Sequence, residues 1–187
     1  MRFTVSVSTA LDSVSREAIL RPWNVTDAPT VVEAFTDLEI QRWHVRAADT
    51  VDEVCELIRA WQRGWAEESQ LNWALAGRDS DAVLGRVSLK GVDHRDGSAG
   101  VAYWMMPAVR GRGLCTHAVM AVCEWAFREA GFHRIGLAHS TGNAASCRVA
   151  VKAGFREEGI RRGAALHVDG WHDMHVHAVL ADDVPLF

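Results

Sequence analysis

The chain has 187 residues, of which 49% are hydrophobic and 24% charged, and its net charge at pH 7 is −4. That length suits one domain with its own core, and the scattered basic residues predict no nucleic-acid surface. No apolar run reaches the roughly 18 residues of a membrane span, and the N-terminus lacks the features of a signal peptide. The four cysteines form no CxxC pair, which favours free thiols and a cytoplasmic protein.

The first half of the chain passes from helical to alternating periodicity. Residues 1–15 are interpreted as an extra N-terminal strand or a tail, and residues 18–23 as a short strand. Asp27 and Thr50 are each expected to cap a helix, because each precedes apolar residues three or four positions apart. A period of two then predicts three successive strands, at 71–76, 82–89 and 99–106.

The second half alternates helices with strands. Its patterns predict a helix at 114–130, a strand at 133–139, a short helix at 143–153 and a final antiparallel pair at 155–162 and 171–180. The whole order is βααβββαβαββ, which is typical of a single α+β domain over residues 1–187. We expect one mixed, mostly antiparallel sheet with helices on both faces.

A loop rich in glycine and arginine, VRGRGLCTHAV at 109–119, precedes the long helix of the second half. The N-terminus of a helix offers free N–H groups and a partial positive charge, so anions bind there. Gly111 and Gly113 would allow close approach, while Arg110 and Arg112 would add charge. A Walker A loop is excluded because no Gly-Lys-Ser/Thr follows. The loop is therefore either an anion-binding site or an ordinary strand–helix turn.

A second motif lies downstream, in NAASCRVAVKAGFREEG at 143–159. The pattern Arg110-x-x-Gly113-x-Cys115, followed by Asn143, Ser146 and the Gly154-Phe155 pair, resembles the GNAT superfamily of acyl-CoA-dependent N-acyltransferases. The Asn-x-x-Ser form, together with LRPW and AYWMMP earlier in the chain, is most similar to the RimJ/RimL branch. The resemblance extends over about residues 18–180 and implies a GNAT-like fold and acetyl transfer to a primary amine.

The resemblance also implies how acetyl-CoA would bind as co-substrate, without a metal. Backbone N–H groups from Gly111 to Thr116 would hold its pyrophosphate, and the pantetheine would lie along the strand end at 104–106. Lys152 or Arg148 would reach the phosphates, unless Lys152 simply belongs to a solvated helix face. The candidate cofactor-binding residues are Trp104, Met105, Met106, Arg110, Gly111, Arg112, Gly113, Leu114, Cys115, Thr116, Asn143 and Lys152.

Acyl transfer to an amine requires protonation of the leaving thiolate and deprotonation of the amine. Many family members use a tyrosine seven residues after the motif asparagine, but that position is Ala150 here. We therefore assign protonation of the leaving thiolate to Ser146. The alternative role of Ser146 is a local helix cap. His139 is the candidate base, and a buried structural histidine is the alternative. Covalent catalysis through Cys115 or Cys147 is not required.

The segment HVDGWHDMHVH at 167–177 raises the question of a metal site. Asp173, His175 and His177 share one face of a strand, but residues two and four apart lie about 6.6 and 13 Å apart. One ion cannot bind all three, although a neighbouring pair could bind one. A solvated outer strand is the preferred interpretation, so no metal ligands are expected. Asp173 would instead fix the last strand, as an aspartate does in the similar branch.

The amine acceptor is expected to bind beside the N-terminal helices. Trp43 and His44 are the candidate substrate-binding residues, because Trp43 lies in the predicted connection between the helices. Trp61 and Trp65 continue an apolar stripe and are expected in the core. The acceptor would be a protein N-terminus, an aminoacyl compound or a small amine, and a homodimer is an option. The alternatives are a catalytically silent acyl-CoA sensor and a histidine-rich metal-binding protein.

Overall fold

A computed structural model describes residue 11, residues 14–44 and residues 48–183. One seven-stranded sheet runs through this part of the chain in the order β1-β2-β3-β4-β5-β7-β6. Every pair of neighbouring strands is antiparallel except β4 and β5. The strands are β1 (Ala18–Arg21), β2 (Leu71–Gly77), β3 (Val83–Asp93), β4 (Ser98–Met105), β5 (Arg134–Ser140), β6 (Arg156–His167) and β7 (Gly170–Leu180).

Five α-helices accompany the sheet in the described residues. They are α1 (Ala28–Thr36), α2 (Leu38–Trp43), α3 (Val51–Ala66), α4 (Leu114–Arg128) and α5 (Ala144–Lys152). The short α2 was not predicted, since six residues are too few to show a periodicity. Asp37 starts it by accepting a hydrogen bond from the N–H of Ile40 at 3.0 Å. Trp43 therefore ends a helix, and the expectation that it lies in a connection was wrong.

The two predicted caps differ. Thr50 forms a reciprocal capping box with Glu53 at the start of α3, as expected. Asp27 precedes α1, but its side chain makes no cap bond to that helix. Both of its carboxylate oxygens are instead held by Arg21 at 2.9 Å. The prediction that Asp27 caps the helix was therefore wrong, because a strand arginine takes its oxygens.

Helices cover both faces of the sheet, as predicted. The α4 face encloses a core that includes Val87, Val119 and Ile135, all fully buried. The opposite face packs against α1 and α3, with Trp23, Trp61 and Trp104 at its centre. None of the helices in the described part of the chain has the length and apolar character that crossing a membrane demands.

The predicted N-terminal strand or tail at 1–15 falls mostly outside the described residues. Within it, Leu11 forms a single antiparallel bridge with Leu20, and Val14 is buried. These two side chains belong to the core on the α4 face. The end of this segment therefore contributes to the domain core.

The tryptophan cluster on the α3 face generates a stability prediction. Trp61 is 4% exposed, lies 4.9 Å from Trp23 between ring centroids and is covered by the guanidinium of Arg86 at 4.5 Å. We expect Trp61→Ala to lower the free energy of unfolding by about 3–5 kcal/mol, because it leaves a cavity. Trp171→Ala is the matched control, since Trp171 on β7 is 69% exposed. Chemical denaturation giving equal losses for the two variants would contradict this packing.

Candidate functional site

A cavity of about 860 Å³ opens where β4 and β5 separate. Their parallel pairing is confined to Ser98–Gly100 opposite Arg134–Gly136. Beyond Gly100, in the described residues, the two strands diverge. The cavity is lined from both faces of the sheet, by α2 on one side and by α4 and α5 on the other. It contains every candidate site residue from the sequence except Met106 and Arg112.

The edge of β4 presents unpaired peptide groups to this gap. Met106 donates its N–H to the carbonyl of Leu84 on the β3 side at 2.9 Å. Because peptide groups alternate along an antiparallel strand, those of Tyr103 and Met105 point the other way, into the gap. The carbonyl of Tyr103 accepts a hydrogen bond from His44 Nε2 at 3.1 Å, and that of Met105 accepts one from Arg110 Nε at 3.1 Å.

This alternation separates the three candidate residues of the strand end. The side chain of Trp104 packs against Trp23 and Phe35, and its peptide group faces β3, although the residue borders the cavity. Met106 is hydrogen-bonded to β3 and lies outside the cavity lining. Of the three, Met105 is the one whose backbone faces the gap.

The glycine loop is open to an approaching group. Gly111 and Gly113 have φ angles of +78° and +80°, a conformation that favours glycine. No atom outside the immediate chain lies within 4 Å of where a Cβ of Gly111 would stand. Gly113 precedes the first residue of α4, so the free N–H groups of that helix begin at Leu114. The Leu114 side chain itself is buried in the core.

The two arginines of the loop are paired with distant carboxylates. Arg110 forms an ion pair with Asp37 Oδ1 at 2.6 Å, in addition to its hydrogen bond to the carbonyl of Met105. Arg112 forms an exposed ion pair with Glu17 and lies outside the cavity lining. The expectation that both arginines face a bound phosphate therefore does not match these contacts. Among the described residues, Arg148 and Lys152 on α5 line the cavity without an ion-pair partner.

Asn143 and Ser146 lie at the start of α5, beside the gap. The Oδ1 atom of Asn143 accepts the N–H of Ser146 at 3.0 Å, so this side chain caps the helix. Its amide nitrogen makes no hydrogen bond within the described part of the chain. The Ser146 hydroxyl, in contrast, lies beside a buried hydroxyl from β4.

That neighbouring hydroxyl belongs to Tyr103, which the sequence reasoning set aside because it is not seven residues after Asn143. Burial raises the pKa of Tyr103 well above its usual value, and the neighbouring Ser146 hydroxyl opposes that shift in part. Within the described residues, no hydrogen bond of ordinary geometry satisfies the Tyr103 hydroxyl. Motif spacing could not indicate Tyr103, because only the fold brings β4 close to α5.

The thiol of Cys115 near the gap is a poor nucleophile. Cys115 lines the cavity, but burial raises the pKa of its thiol to about 12. A thiol with that pKa contains little thiolate near neutral pH. That covalent catalysis is not required stays a prediction, and the protonated thiol of Cys115 favours it.

His139, the candidate base, is buried between the strands. Its Nδ1 atom lies 2.8 Å from the carbonyl oxygen of Ser140, and its Nε2 atom lies 3.2 Å from Nε2 of His177. Both ring nitrogens are therefore engaged within the sheet. Its role as base stays a prediction, and these contacts favour a different histidine.

The different histidine lies in a hydrogen-bonded chain at the acceptor side of the cavity. The hydroxyl of Ser140 lies 2.7 Å from His172 Nδ1, and His172 Nε2 lies 2.8 Å from Asp169 Oδ1. If His172 donates to Asp169, its Nδ1 accepts the proton of the Ser140 hydroxyl. Ser140 itself lines the cavity. Sequence spacing gave no signal for these three residues, because Ser140 comes from β5, Asp169 from the β6–β7 turn and His172 from β7.

Aromatic side chains close the cavity on the same side. The Trp43 ring meets His167 and His172 edge-on, at centroid distances of 5.9 and 6.1 Å. The guanidinium of Arg42 lies 4.7 Å above the Trp43 ring. Both Trp43 and His44 line the cavity. The structure thus brings the two candidate acceptor residues to the opening between α2 and the β6–β7 hairpin.

Comparison with known proteins agrees with this arrangement. Residues 17–156 match the family described as acetyltransferase (GNAT) domain. The probable N-acetyltransferase YjcK of Bacillus subtilis is 31% identical, over 88% of this chain and 94% of its own length. The putative ribosomal N-acetyltransferase YdaF of the same organism is 34% identical, over 67% of this chain and 66% of its own.

Among solved structures, the ribosomal alpha-N-protein acetyltransferase RimL in complex with coenzyme A superposes with a TM-score of 0.85. It shares 16% identity, and the match covers 94% of this chain and all of that one. At this identity the likeness shows the fold. Together with the family match, these findings establish that the chain belongs to the GNAT family of acetyltransferases.

The environment of His44 leads to a prediction about pH. Burial lowers the pKa of His44 to about 4, and the positive charges of Arg86, Lys90 and His167 act in the same direction. The unfolded chain binds this proton with a pKa near 6.5, so folding stability falls as pH drops from about 6.5 to 4.

We expect this loss to be about 1–3 kcal/mol smaller in His44→Gln than in the parent. Denaturant unfolding at pH 4, 5, 6 and 7 measures the difference. His133→Gln, at an exposed position, should retain the full loss. Parallel pH profiles for the parent and His44→Gln would show that His44 is not held neutral by the fold.

Proposed function

We propose that the protein transfers the acetyl group of acetyl-CoA to a primary amine, with a peptide or protein N-terminus as the acceptor. The observation that carries this proposal is the gap between β4 and β5. It joins an open glycine loop, two hydroxyl groups and an aromatic acceptor opening within one cavity. The relatives described as ribosomal N-acetyltransferases support a protein amine as acceptor.

The described residues fit acetyl-CoA, which would supply an acetyl thioester as the group to be transferred. The backbone of Gly111–Thr116 would bind the pyrophosphate, because its N–H groups are open and lie at the start of α4. Arg148 and Lys152 would add the positive charge, since the loop arginines are paired elsewhere. Asn143 would donate its free amide nitrogen to the pantetheine.

The strand edge would polarise the reacting carbonyl. The N–H of Met105 faces the gap and is fixed by the pairing of β4 with β3. A fixed N–H donor stabilises the negative charge that develops on a carbonyl oxygen during acyl transfer. The amine would approach from the α2 side, because the core side of the gap is closed by α4 and α5.

Two hydroxyl groups would protonate the leaving thiolate. Ser146 lies in the first turn of α5 beside the gap, and Tyr103 lies behind it with its proton retained by a raised pKa. Ser146 would give its proton to the sulfur and recover one from Tyr103. This arrangement extends the assignment of Ser146 made from the sequence.

The chain Ser140–His172–Asp169 would accept the proton of the amine. Ser140 would take that proton while it passes its own to Nδ1 of His172, and Asp169 would stabilise the charge formed on the imidazole. The amine attacks only in its neutral form, so removal of its proton would limit turnover when the substrate arrives protonated. We prefer His172 to His139 because His139 has no free ring nitrogen.

Amine-dependent thiol release tests the proposed function. Acetyl-CoA is mixed with peptides that carry different N-terminal residues and with small primary amines, and mass spectrometry locates the acetyl group. We expect release that depends on the amine, with the acetyl group on the α-nitrogen of a peptide. If acetyl-CoA binds but no amine accelerates thiol release, the protein is an acyl-CoA-binding protein without this activity.

Gly113→Val tests the position of the pyrophosphate. A branched side chain at φ +80° would both strain the loop and block the approach of an anion. Gly154→Val is the matched control, because Gly154 has a φ of +82° and open space around its Cβ position but lies outside the cavity lining.

We expect Gly113→Val to weaken acetyl-CoA binding by at least about 10-fold by calorimetry, equivalent to roughly 1.4 kcal/mol. Gly154→Val should lose a similar amount of stability and keep the affinity of the parent. Equal affinities for all three proteins would remove the loop from the binding site.

Ser146→Ala and Tyr103→Phe test the acid. Each should lower kcat by about 10–100-fold while leaving the Kd for acetyl-CoA close to that of the parent, because both act on the leaving group. The double variant should lose little more than Ser146→Ala, since the two hydroxyls act in series. Unchanged kcat in both single variants, with a good acceptor, would exclude this pair.

His172→Gln tests the base. We expect kcat to fall by about 100-fold, with acetyl-CoA affinity unaffected, because His172 lies on the acceptor side. His117→Gln is the control, since His117 is exposed on α4 outside the cavity lining. If the two variants turn over at the same rate, the proton leaves by another route.

A further inference from the structure

Three histidines meet on the α4 face of the sheet, at its β5–β7 seam. The strand register sets His139 opposite His175 and Leu137 opposite His177. Opposite residues in an antiparallel pair point to the same face, so the three imidazoles share the face that buries Leu137. The proposed acetyl transfer leaves this cluster without a role.

The distances within the cluster suit a metal ion. One ring nitrogen from each histidine lies within 4.8 Å of the other two, and Nε2 of His139 is 3.2 Å from Nε2 of His177. Zinc–nitrogen bonds of 2.0–2.1 Å place two tetrahedral ligands about 3.4 Å apart, and no two ligands more than about 4.2 Å apart. A pair at the 4.8 Å limit would therefore have to close by about 1.4 Å to reach the tetrahedral separation.

The surroundings orient the rings as ligands. The carbonyl of Ser140 holds Nδ1 of His139 at 2.8 Å, which leaves a lone pair on Nε2. Glu157 Oε1 lies 2.9 Å from Nε2 of His175, a carboxylate–histidine contact common around metal sites.

A hydrogen bond between His139 and His177 leaves one buried ring nitrogen of this cluster without a partner. Nδ1 of His177 is buried and has no hydrogen-bond partner in the described residues. His177 is 2% exposed and His139 5% exposed. Two adjacent buried imidazoles are unusual for a plain core, and an ion at their facing Nε2 atoms would use this pair, while Nδ1 of His177 would stay as it is. His175 and the exposed Glu157 give the cluster a route to solvent.

We propose that His139, His175 and His177 bind one divalent transition-metal ion of the Zn²⁺ class, with Glu157 orienting His175. The ion joins β5 to β7 next to the strand end that carries Ser140, and it stabilises the fold. This replaces the expectation that the chain has no metal ligands. The sequence argument considered Asp173 with the two β7 histidines, but Asp173 accepts the N–H of Gly163 at 2.7 Å and serves the hairpin.

Metal uptake by the whole chain tests the proposal. Protein treated with EDTA and desalted is dialysed against Zn²⁺ or Co²⁺, and the bound metal is counted by mass spectrometry. We expect one ion per chain, a visible Co²⁺ spectrum of tetrahedral intensity, and a Tm that rises with Zn²⁺ concentration. No uptake of either ion would overturn the proposal without any variant being needed.

Variants at exposed or half-buried positions then locate the ion. His175→Gln should weaken binding by at least about 100-fold, and Glu157→Gln by about 10–100-fold. His133→Gln, an exposed control, should bind like the parent. An ion retained at full affinity by His175→Gln, or lost in His167→Gln, would place the metal elsewhere and contradict the assignment.

Discussion

The loss of pairing between β4 and β5 is the constraint on which the rest of the site depends. The two strands are hydrogen-bonded only as far as Gly100 and Gly136. Unpaired peptide groups are costly when buried, so the exposed edge of β4 needs partners. His44 and Arg110 supply two of them from the α2 side and from the glycine loop. The remaining N–H groups at Tyr103 and Met105 are the ones that a bound pantetheine would satisfy.

The same gap is lined by residues from both faces of the sheet. Tyr103 and Ser146 reach it from the α4 and α5 side, and Trp43 reaches it from the α2 side with His172 against its ring. A thioester in the gap would therefore have its leaving sulfur near one set and its reacting carbonyl open to the other. The proposed acid and base would therefore act from opposite faces of the sheet.

Local patterns in the sequence predicted most of the helices and strands and the glycine loop. They could not indicate contacts between segments that are distant in the sequence. The helix at Val51–Ala66 and the glycine loop that precedes Leu114–Arg128 follow from local spacing. The pairing of Arg110 with Asp37 spans 73 residues, so no local pattern could indicate it. Strand register likewise decides that His139 meets His175, and register becomes visible only in the folded sheet.

Hydrogen exchange at the β4 edge tests the account most directly. The account predicts that saturating acetyl-CoA protects the amides of Tyr103 and Met105, together with those of Gly111–Thr116, because bound pantetheine and pyrophosphate would cover them. The amides of Trp104 and Met106, already bonded toward β3, should change little. Protection confined to the β6–β7 hairpin, with Tyr103 and Met105 unchanged, would contradict the claim that the separation of β4 and β5 forms the cofactor site.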